Sequence, residues 1–159
     1  MKIRYESEKW NEYADLIDRL LEEPCHLIDF YPVRVPEKSR GEYYAINDWI
    51  LDKEYEDLAA RFFHILLKLN CYCDLTLYLG THLKKKPSPD LLRKWVFKCF
   101  HAKQNKRKYM NIFVDQGRAM LVLDGDSPCL AVYKADEVLQ ELLKMLAASE
   151  GMFFRSAPG

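Results

Sequence analysis

The stretch from Tyr55 to Leu79 constrains the fold more than any other part of the chain, because its hydrophobic period changes halfway. From Tyr55 to Leu69 the apolar residues recur at the three- and four-residue spacings of an amphipathic helix. From Cys71 onward every second residue is apolar, as in a strand with one buried face. Asn70 lies at the change, and we expect it to end the helix in a left-handed conformation. The segment therefore predicts a helix that runs directly into a strand and packs on a sheet.

Other segments carry local signals for further helices and strands. Three more helices are predicted, and each starts at a residue whose side-chain oxygen can cap it: Ser7, Ser88 and Asp136. Residues 25–31 are typical of a strand. Residues 42–52 are rich in aromatic residues and favour a strand that leads into the central helix. Residues 37–42 contain no apolar residue and predict a loop.

Residues 109–134 predict a three-stranded antiparallel meander near the C-terminus. Three short apolar segments are separated there by turn residues, among them Gln116 and Gly117. The chain has 159 residues and contains no repeat or linker that would divide it. We therefore expect a single α+β domain, residues 1–159, in which about four helices pack against a mainly antiparallel sheet.

Charged residues balance over the whole chain but not along it. The 24 basic and 24 acidic residues cancel, so the net charge predicts no general attraction to nucleic acid or to a membrane. Between Lys84 and Lys108, however, ten bases accompany a single acid, Asp90. The rest of the chain carries the opposite excess, part of it on the acidic first helix.

This basic segment is a candidate for binding nucleic acid, since lysine and arginine can follow a phosphate backbone. Aromatic residues are interleaved with the bases and could stack on nucleobases if exposed. The helical period places Trp95 and Phe100 on the buried side, which leaves Phe97 freer. The alternative is that the basic face is solvated or pairs with the acidic first helix. The candidate nucleic-acid-binding residues are Lys84, Lys85, Lys86, Arg93, Lys94, Lys98, Lys103, Lys106, Arg107 and Lys108.

Residues 30–44 combine aromatic rings with arginines in a segment that contains two prolines. Aromatic residues and arginine are enriched where proteins meet their partners, so an ordered loop that recognises a partner is expected here. The alternative is that the rings cover the core beneath a long loop. The candidate partner-binding residues are Phe30, Tyr31, Arg34, Arg40, Tyr43 and Tyr44.

Cysteines and histidines form no pattern typical of a metal or catalytic site. Among five cysteines, only Cys71 and Cys73 are close enough to suggest paired ligands, and in the predicted strand both would face the core. We expect free thiols in a reducing compartment, no metal and no cofactor. A catalytic pocket in the first half would draw on His26, Asp29 and Glu42, but no spacing rule brings these groups together, and no catalytic residue is predicted.

The N-terminal residues lack the apolar core of a signal peptide, and no apolar run approaches the about 18 residues of a membrane span, which predicts a cytoplasmic protein. The segments IDFYPVRVP, GEYYAINDWIL, KLNCYCDL and LAASEGMFF resemble small proteins of unknown function from Firmicutes of the gut Clostridia type. The resemblance implies a bacterial, cytoplasmic protein with a single domain. It implies no activity, cofactor or catalytic residue.

Together these features predict an interaction module that works by binding rather than by catalysis. Its partner would be another protein or a second copy of the chain, bound by residues 30–44 or by an exposed strand of the meander. One alternative is a nucleic-acid-binding accessory protein that uses residues 84–108. Another is a small enzyme with a pocket in the first half. No membrane partner is expected.

Overall fold

A seven-stranded antiparallel sheet forms the centre of the protein. The computed structural model describes residues 13–80, 82–101 and 108–157. The strands are β1 (Cys25–Asp29), β2 (Leu75–Tyr78), β3 (Leu83–Lys85), β4 (Tyr109–Val114), β5 (Ala119–Asp124), β6 (Cys129–Tyr133) and β7 (Phe153–Ser156). Their order across the sheet is β3-β2-β4-β5-β6-β1-β7, so β3 and β7 are the edge strands.

Five α-helices of the described chain divide unequally between the two faces of the sheet. They are α1, of which residues 13–20 are described, α2 (Arg40–Lys53), α3 (Tyr55–Leu69), α4 (Pro89–Phe100) and α5 (Glu137–Ser149). Successive residues of a strand point to opposite faces. Ile112 and Leu121 therefore join the larger core with α3, α4 and α5, whereas their neighbours Phe113 and Met120 join a smaller core with α1. The predicted α+β class is confirmed.

Helix α3 is central to the larger core, and it begins and ends where the hydrophobic period predicts. Seven of its residues are buried. The ring of Phe62 stacks on Phe100 of α4, which is buried as expected, with 5.6 Å between the ring centroids. Helices α2 and α5 also pack against α3. Since each fully buried Leu or Phe stabilises a fold by about 1.5–3 kcal/mol, α3 anchors the helix layer on the sheet.

The strand that follows α3 begins later than the sequence predicts. Asn70 ends the helix, but its φ of −61° is right-handed, so the expected left-handed conformation is wrong. The N–H groups of Cys71 and Cys73 donate to carbonyl groups of the last turn of α3, and β2 starts only at Leu75. Helical hydrogen bonding thus continues past the point where the apolar alternation begins. Cys71 is exposed and Cys73 is half-buried, so the prediction that both face the core from a strand is wrong.

Residues 42–52 form part of a helix, and the prediction of a strand there is wrong. Helix α2 occupies this segment and follows a short 3-10 turn, Glu37–Ser39, in the stretch predicted as a loop. Asn47 and Leu51, four residues apart, are its buried positions. The polar Asn47 interrupts the apolar stripe, which hides the helical period. Its side-chain oxygen accepts a hydrogen bond from the Tyr31 hydroxyl at 3.1 Å, which makes the burial tolerable.

The meander of β4, β5 and β6 is confirmed, but none of its strands lies at an edge of the sheet. Strand β2 covers the outer side of β4, and β1 covers the outer side of β6. The prediction that an exposed meander strand binds a partner is therefore wrong. The turn between β4 and β5 contains Gln116 and Gly117, as predicted, and both have a positive φ.

Candidate functional site

A pocket rich in arginine and tyrosine gathers most of the candidate partner-binding residues. Its cavity has a volume of about 240 Å³. Four of those candidates line it: Arg34, Arg40, Tyr43 and Tyr44. The rest of the lining consists of Leu27, Val35, Ser127 and Arg155. We call this cavity the arginine–tyrosine pocket.

Elements that are distant in sequence build the pocket. Arg40 is the first residue of α2, and Tyr43 and Tyr44 follow one turn later. Leu27 and Arg155 are cross-strand partners in the register of β1 and β7, so their side chains lie side by side on one face of the sheet. The start of a helix and the edge of the sheet thus line the same cavity.

A buried ion pair holds one of the arginines in place. Nη2 of Arg155 lies 2.7 Å from Oδ2 of Asp29, and their side chains are only 15% and 4% exposed. The other carboxylate oxygen of Asp29 accepts the backbone N–H of Tyr31 at 3.0 Å. The Nε atom of Arg155 is buried and has no hydrogen-bond partner among the described residues. The ion pair therefore leaves one N–H donor of Arg155 buried without a partner in the described ranges.

The two remaining candidates, Phe30 and Tyr31, do not line the cavity. They belong to a row of rings that continues through Tyr43 and Tyr44, with successive centroids 4.6, 5.2 and 5.5 Å apart. Phe30 packs against the larger core. Burial, together with the neighbouring Tyr43 and Asp29, raises the pKa of Tyr31. The alternative role of covering the core thus describes Phe30, while Tyr43 and Tyr44 line the pocket and Tyr31 lies between them in the row.

The charges that line the pocket are positive, and two of its three arginines are paired with acids outside the lining. The guanidinium of Arg34 lies 3.8 Å from the Glu37 carboxylate in an exposed pair, which contributes little. Arg40 forms no ion pair with an acid in the described ranges, and no acid of those ranges lines the cavity. Guanidinium and phenol groups donate hydrogen bonds well to carboxylate or phosphate oxygens. The described lining contains no imidazole, carboxylate or thiol that could act as a general base or nucleophile.

The basic segment around α4 forms a second surface. Seven of its ten candidate residues are described, and all seven are exposed: Lys84, Lys85, Lys86, Arg93, Lys94, Lys98 and Lys108. None of these seven forms an ion pair with a described acid. The other candidates, Lys103, Lys106 and Arg107, lie outside the described residues. The described part of α1 packs on the opposite face of the sheet from α4, so its acids do not neutralise this surface.

Aromatic side chains near these bases differ in exposure from the prediction. Phe97 is half-buried, and the guanidinium of Arg93 lies 4.2 Å from its ring centroid, so this ring is less available than expected. Trp95 is also half-buried, and Nζ of Lys98 lies 4.4 Å from its ring centroid. Tyr109 is 70% exposed and offers the most accessible ring.

The candidate catalytic groups of the first half do not meet. His26 and Asp29 point to opposite faces of β1, since they are an odd number of residues apart. The His26 ring stacks on Phe154 at 4.9 Å, whereas Asp29 binds Arg155. Glu42 is exposed on α2. Within the described ranges no group of three or more His, Cys, Asp or Glu side chains is arranged to hold a metal ion.

Two thiols lie in unreactive environments, one near each surface. Burial, with Asp124 nearby, raises the pKa of Cys99 to about 12. Burial and the same carboxylate raise the pKa of Cys129 to about 12 as well. Because the thiolate is the reactive form, neither thiol is a nucleophile at neutral pH.

Sequence reasoning misses Arg155, although the chain contains a signal for it. Asp29 lies within an apolar strand, and a buried carboxylate requires a partner that supplies positive charge or hydrogen bonds. The missing cation comes from β7, 126 residues further along the chain. The signal indicates that a partner exists, but only the pairing of β1 with β7 identifies it.

Comparison of the chain with family models, curated proteins and solved structures gives no match. In the described part of the chain, no helix has both the length and the apolar character needed to cross a lipid bilayer. Function is therefore inferred from the two surfaces themselves.

Proposed function

We propose that the protein is an interaction module that binds an acidic group of a protein partner in the arginine–tyrosine pocket. The observation that carries this proposal is that Arg34, Arg40 and Arg155 meet two tyrosines on one cavity, with no described acid in the lining. Arginine and tyrosine are the residue types that most often dominate binding energy at protein interfaces.

The size of the pocket favours a side chain or a chain terminus over a separate small molecule. Small-molecule sites usually have volumes of about 300–1,000 Å³, whereas this cavity has about 240 Å³. Helix α2 also leaves Ile46 and Trp49 exposed, at 47% and 56%. Exposed apolar and aromatic side chains on the helix that also supplies the pocket's tyrosines are typical of a protein interface.

Peptide selection on the full chain tests this proposal, because it works even when the natural partner is unidentified. Peptides displayed on phage and selected on the immobilised protein should carry Asp, Glu or a free C-terminal carboxylate. A selected peptide should lose about tenfold to a hundredfold in affinity for an Arg40→Ala variant, because a charge-assisted hydrogen bond is removed. Fluorescence anisotropy of the labelled peptide measures the change.

Two further variants make the result specific to the pocket. Tyr43→Phe keeps the ring and removes only the hydroxyl, and it should weaken binding by about fivefold. Arg19→Ala removes an exposed arginine of α1, on another part of the molecule, and should leave the affinity unchanged. Selected peptides without an acidic group, or equal affinities for Arg40→Ala and wild type, would contradict the proposal.

Sedimentation equilibrium decides whether the partner is a second copy of the chain. A wild-type dimer that dissociates in the Arg40→Ala variant would identify the acidic group as one of the protein's own. If the protein is a monomer at all concentrations, the partner that the pocket binds is a different protein.

A further inference from the structure

Two cavities adjoin at the C-terminal end of α4, and both are lined by Lys98 and Lys108. The first has a volume of about 480 Å³ and is also lined by Lys94 and Tyr55. The second has a volume of about 370 Å³ and extends to Tyr109. Both volumes fall within the about 300–1,000 Å³ of ligand sites, unlike that of the arginine–tyrosine pocket. We call the two cavities together the lysine cleft.

The cleft carries an excess of positive charge that the protein does not neutralise. Three lysines line the first cavity against one acid, Glu56, and two of them also line the second. None of these lysines forms an ion pair with a described acid. Charges left unpaired in a concave surface concentrate the positive potential there and attract a polyanion.

The backbone holds one of the shared lysines in a defined place. The N–H of Lys108 donates to the carbonyl of Cys99 at 3.2 Å, and its own carbonyl accepts the N–H of Gly125 at 3.1 Å. The head of Lys98 lies 4.4 Å from the ring centroid of Trp95, which restrains it by a cation–π contact. The backbone of Lys108 and the head group of Lys98 are therefore restrained, while the Lys108 side chain is exposed.

The second cavity also offers groups that suit a nucleobase. Tyr109 is 70% exposed and lines this cavity from the sheet face opposite α4, the face that it shares with Phe113. Asn111 lines the same cavity and is only 9% exposed, and its amide can donate to and accept from the edge of a base. A stacking ring next to a phosphate-binding lysine is the usual combination in sites for single-stranded nucleic acid.

We propose that the lysine cleft binds single-stranded nucleic acid. Lys98 and Lys108 contact phosphates, and a base enters the second cavity and stacks on Tyr109. A single strand fits better than a duplex, because the bases of a duplex are already stacked and paired and cannot enter a cavity. Lysines act as point charges that accept any phosphate geometry, so the site has little sequence preference.

Binding of a fluorescein-labelled oligothymidylate of about 12 nucleotides to the full chain tests this proposal. The affinity should fall steeply as salt rises from about 50 to about 200 mM, with a logarithmic slope of about −0.7 for each phosphate contact. The Lys98→Gln/Lys108→Gln variant should make this slope shallower by about 1.4. A duplex of the same length should bind at least about tenfold more weakly.

Single and double variants separate the contribution of ring stacking to the affinity from the contribution of charge. Tyr109→Ala should weaken oligothymidylate binding by about tenfold while leaving the salt slope unchanged, because it removes a ring and no charge. Lys38→Gln/Lys144→Gln is the matched control, since it removes two exposed lysines outside the cleft and should leave the affinity nearly unchanged. Circular dichroism melting verifies that each variant is folded.

Three outcomes would overturn the proposal. The first is no binding of the oligonucleotide at about 50 mM salt. The second is an equal loss of affinity in the cleft variant and in the control variant, which would indicate attraction by net charge alone. The third is unchanged affinity in Tyr109→Ala together with equally tight binding of polyphosphate, which would make the cleft a general polyanion surface. Each outcome leaves the arginine–tyrosine pocket untouched, so the two proposals fail separately.

Discussion

The arginine–tyrosine pocket and the lysine cleft are both electropositive, but they hold their cations in different ways. In the pocket, Arg155 is tied to Asp29 in a pair that is almost entirely buried. In the cleft, the lysine heads are exposed, and the restraints act on the Lys108 backbone and on Lys98 through Trp95. The pocket therefore contains one fixed guanidinium, that of Arg155, in a small volume, and the cleft presents adjustable charge in a large one.

The chemistry of the two cations determines which ligands each surface can distinguish. A planar guanidinium binds a carboxylate or phosphate through two parallel hydrogen bonds, so its orientation selects the ligand. An ammonium group tolerates many geometries, so its ligand is selected by charge and by whatever ring lies beside it. A discrete acidic group suits the pocket, and a polymer of phosphates suits the cleft.

Breaking the buried ion pair beside the pocket should have the largest effect. Asp29→Asn leaves the guanidinium of Arg155 buried without a countercharge, and we expect a loss of about 3–5 kcal/mol in the free energy of unfolding. Urea unfolding measures it. Asp48→Asn, at an exposed position of α2, is the control and should change stability by less than about 0.5 kcal/mol. A loss below about 1 kcal/mol for Asp29→Asn would show that the pair does not hold the pocket.

Crowding the backbone beside the cleft should have the next largest effect. A Cβ atom at Gly125 would lie 1.8 Å from the carbonyl oxygen of Cys99, so Gly125→Ala must displace the segment that holds Lys108. We expect a loss of about 1–3 kcal/mol in urea unfolding.

Gly41→Ala provides the matched control for this substitution. No atom lies within 4 Å of a Cβ at Gly41, which is part of α2, so alanine should stabilise the protein by up to about 1 kcal/mol. Wild-type stability in Gly125→Ala would contradict the described anchor of Lys108.

Replacing an arginine of the pocket by lysine, and a lysine of the cleft by arginine, tests whether geometry or charge selects the ligand of each surface. Arg40→Lys keeps the charge but removes the planar fork, and it should weaken binding of a selected acidic peptide by about tenfold. Lys98→Arg should change the affinity for oligothymidylate by no more than about twofold, because charge alone matters there. Fluorescence anisotropy measures both. If both exchanges changed the affinity by the same factor, the two surfaces would not differ in how they select their ligands.

The two buried thiols should produce the smallest effect, as a decline of stability at high pH. The folded protein keeps Cys99 and Cys129 protonated up to a pKa of about 12, whereas in the unfolded chain a thiol releases its proton near the ordinary value of 9.0. Their contribution is thus complete below pH 9 and is lost as the pH rises toward 12. At pH 9 we expect a loss below about 1 kcal/mol in urea unfolding.

Substitution of single thiols shows how much each region contributes to this decline in stability at high pH. Cys99 lines the lysine cleft. Cys129 is close enough to Asp29 and Arg155 for their charges to affect its pKa. Cys99→Ala and Cys129→Ala should each reduce the decline, by similar amounts because their pKa values are raised to the same value, and Cys71→Ser, at an exposed thiol, should leave it unchanged. If Cys99→Ala removed none, the interior beside the cleft would be open to water.

The amino-acid sequence by itself determined the local features of this protein. The limits of α3, the capping of α4 by Ser88 and the capping of α5 by Asp136 all follow from residues within one turn of each other. Both caps form as expected: the side-chain oxygen of Ser88 accepts the N–H of Leu91 at 3.2 Å, and that of Asp136 accepts the N–H of Leu139 at 2.9 Å. Such signals need no information about distant parts of the chain.

Tertiary structure alone decided where the candidate residues meet. Asn47 is buried in helix α2 because Tyr31, outside the helix, supplies a hydrogen bond that the segment itself does not provide. The register of β1 with β7 brought Arg155 to Asp29, and the order of strands placed α1 and α4 on opposite faces. Strand pairing joins residues irrespective of their separation in sequence, so no local pattern of charge or hydrophobicity can specify it.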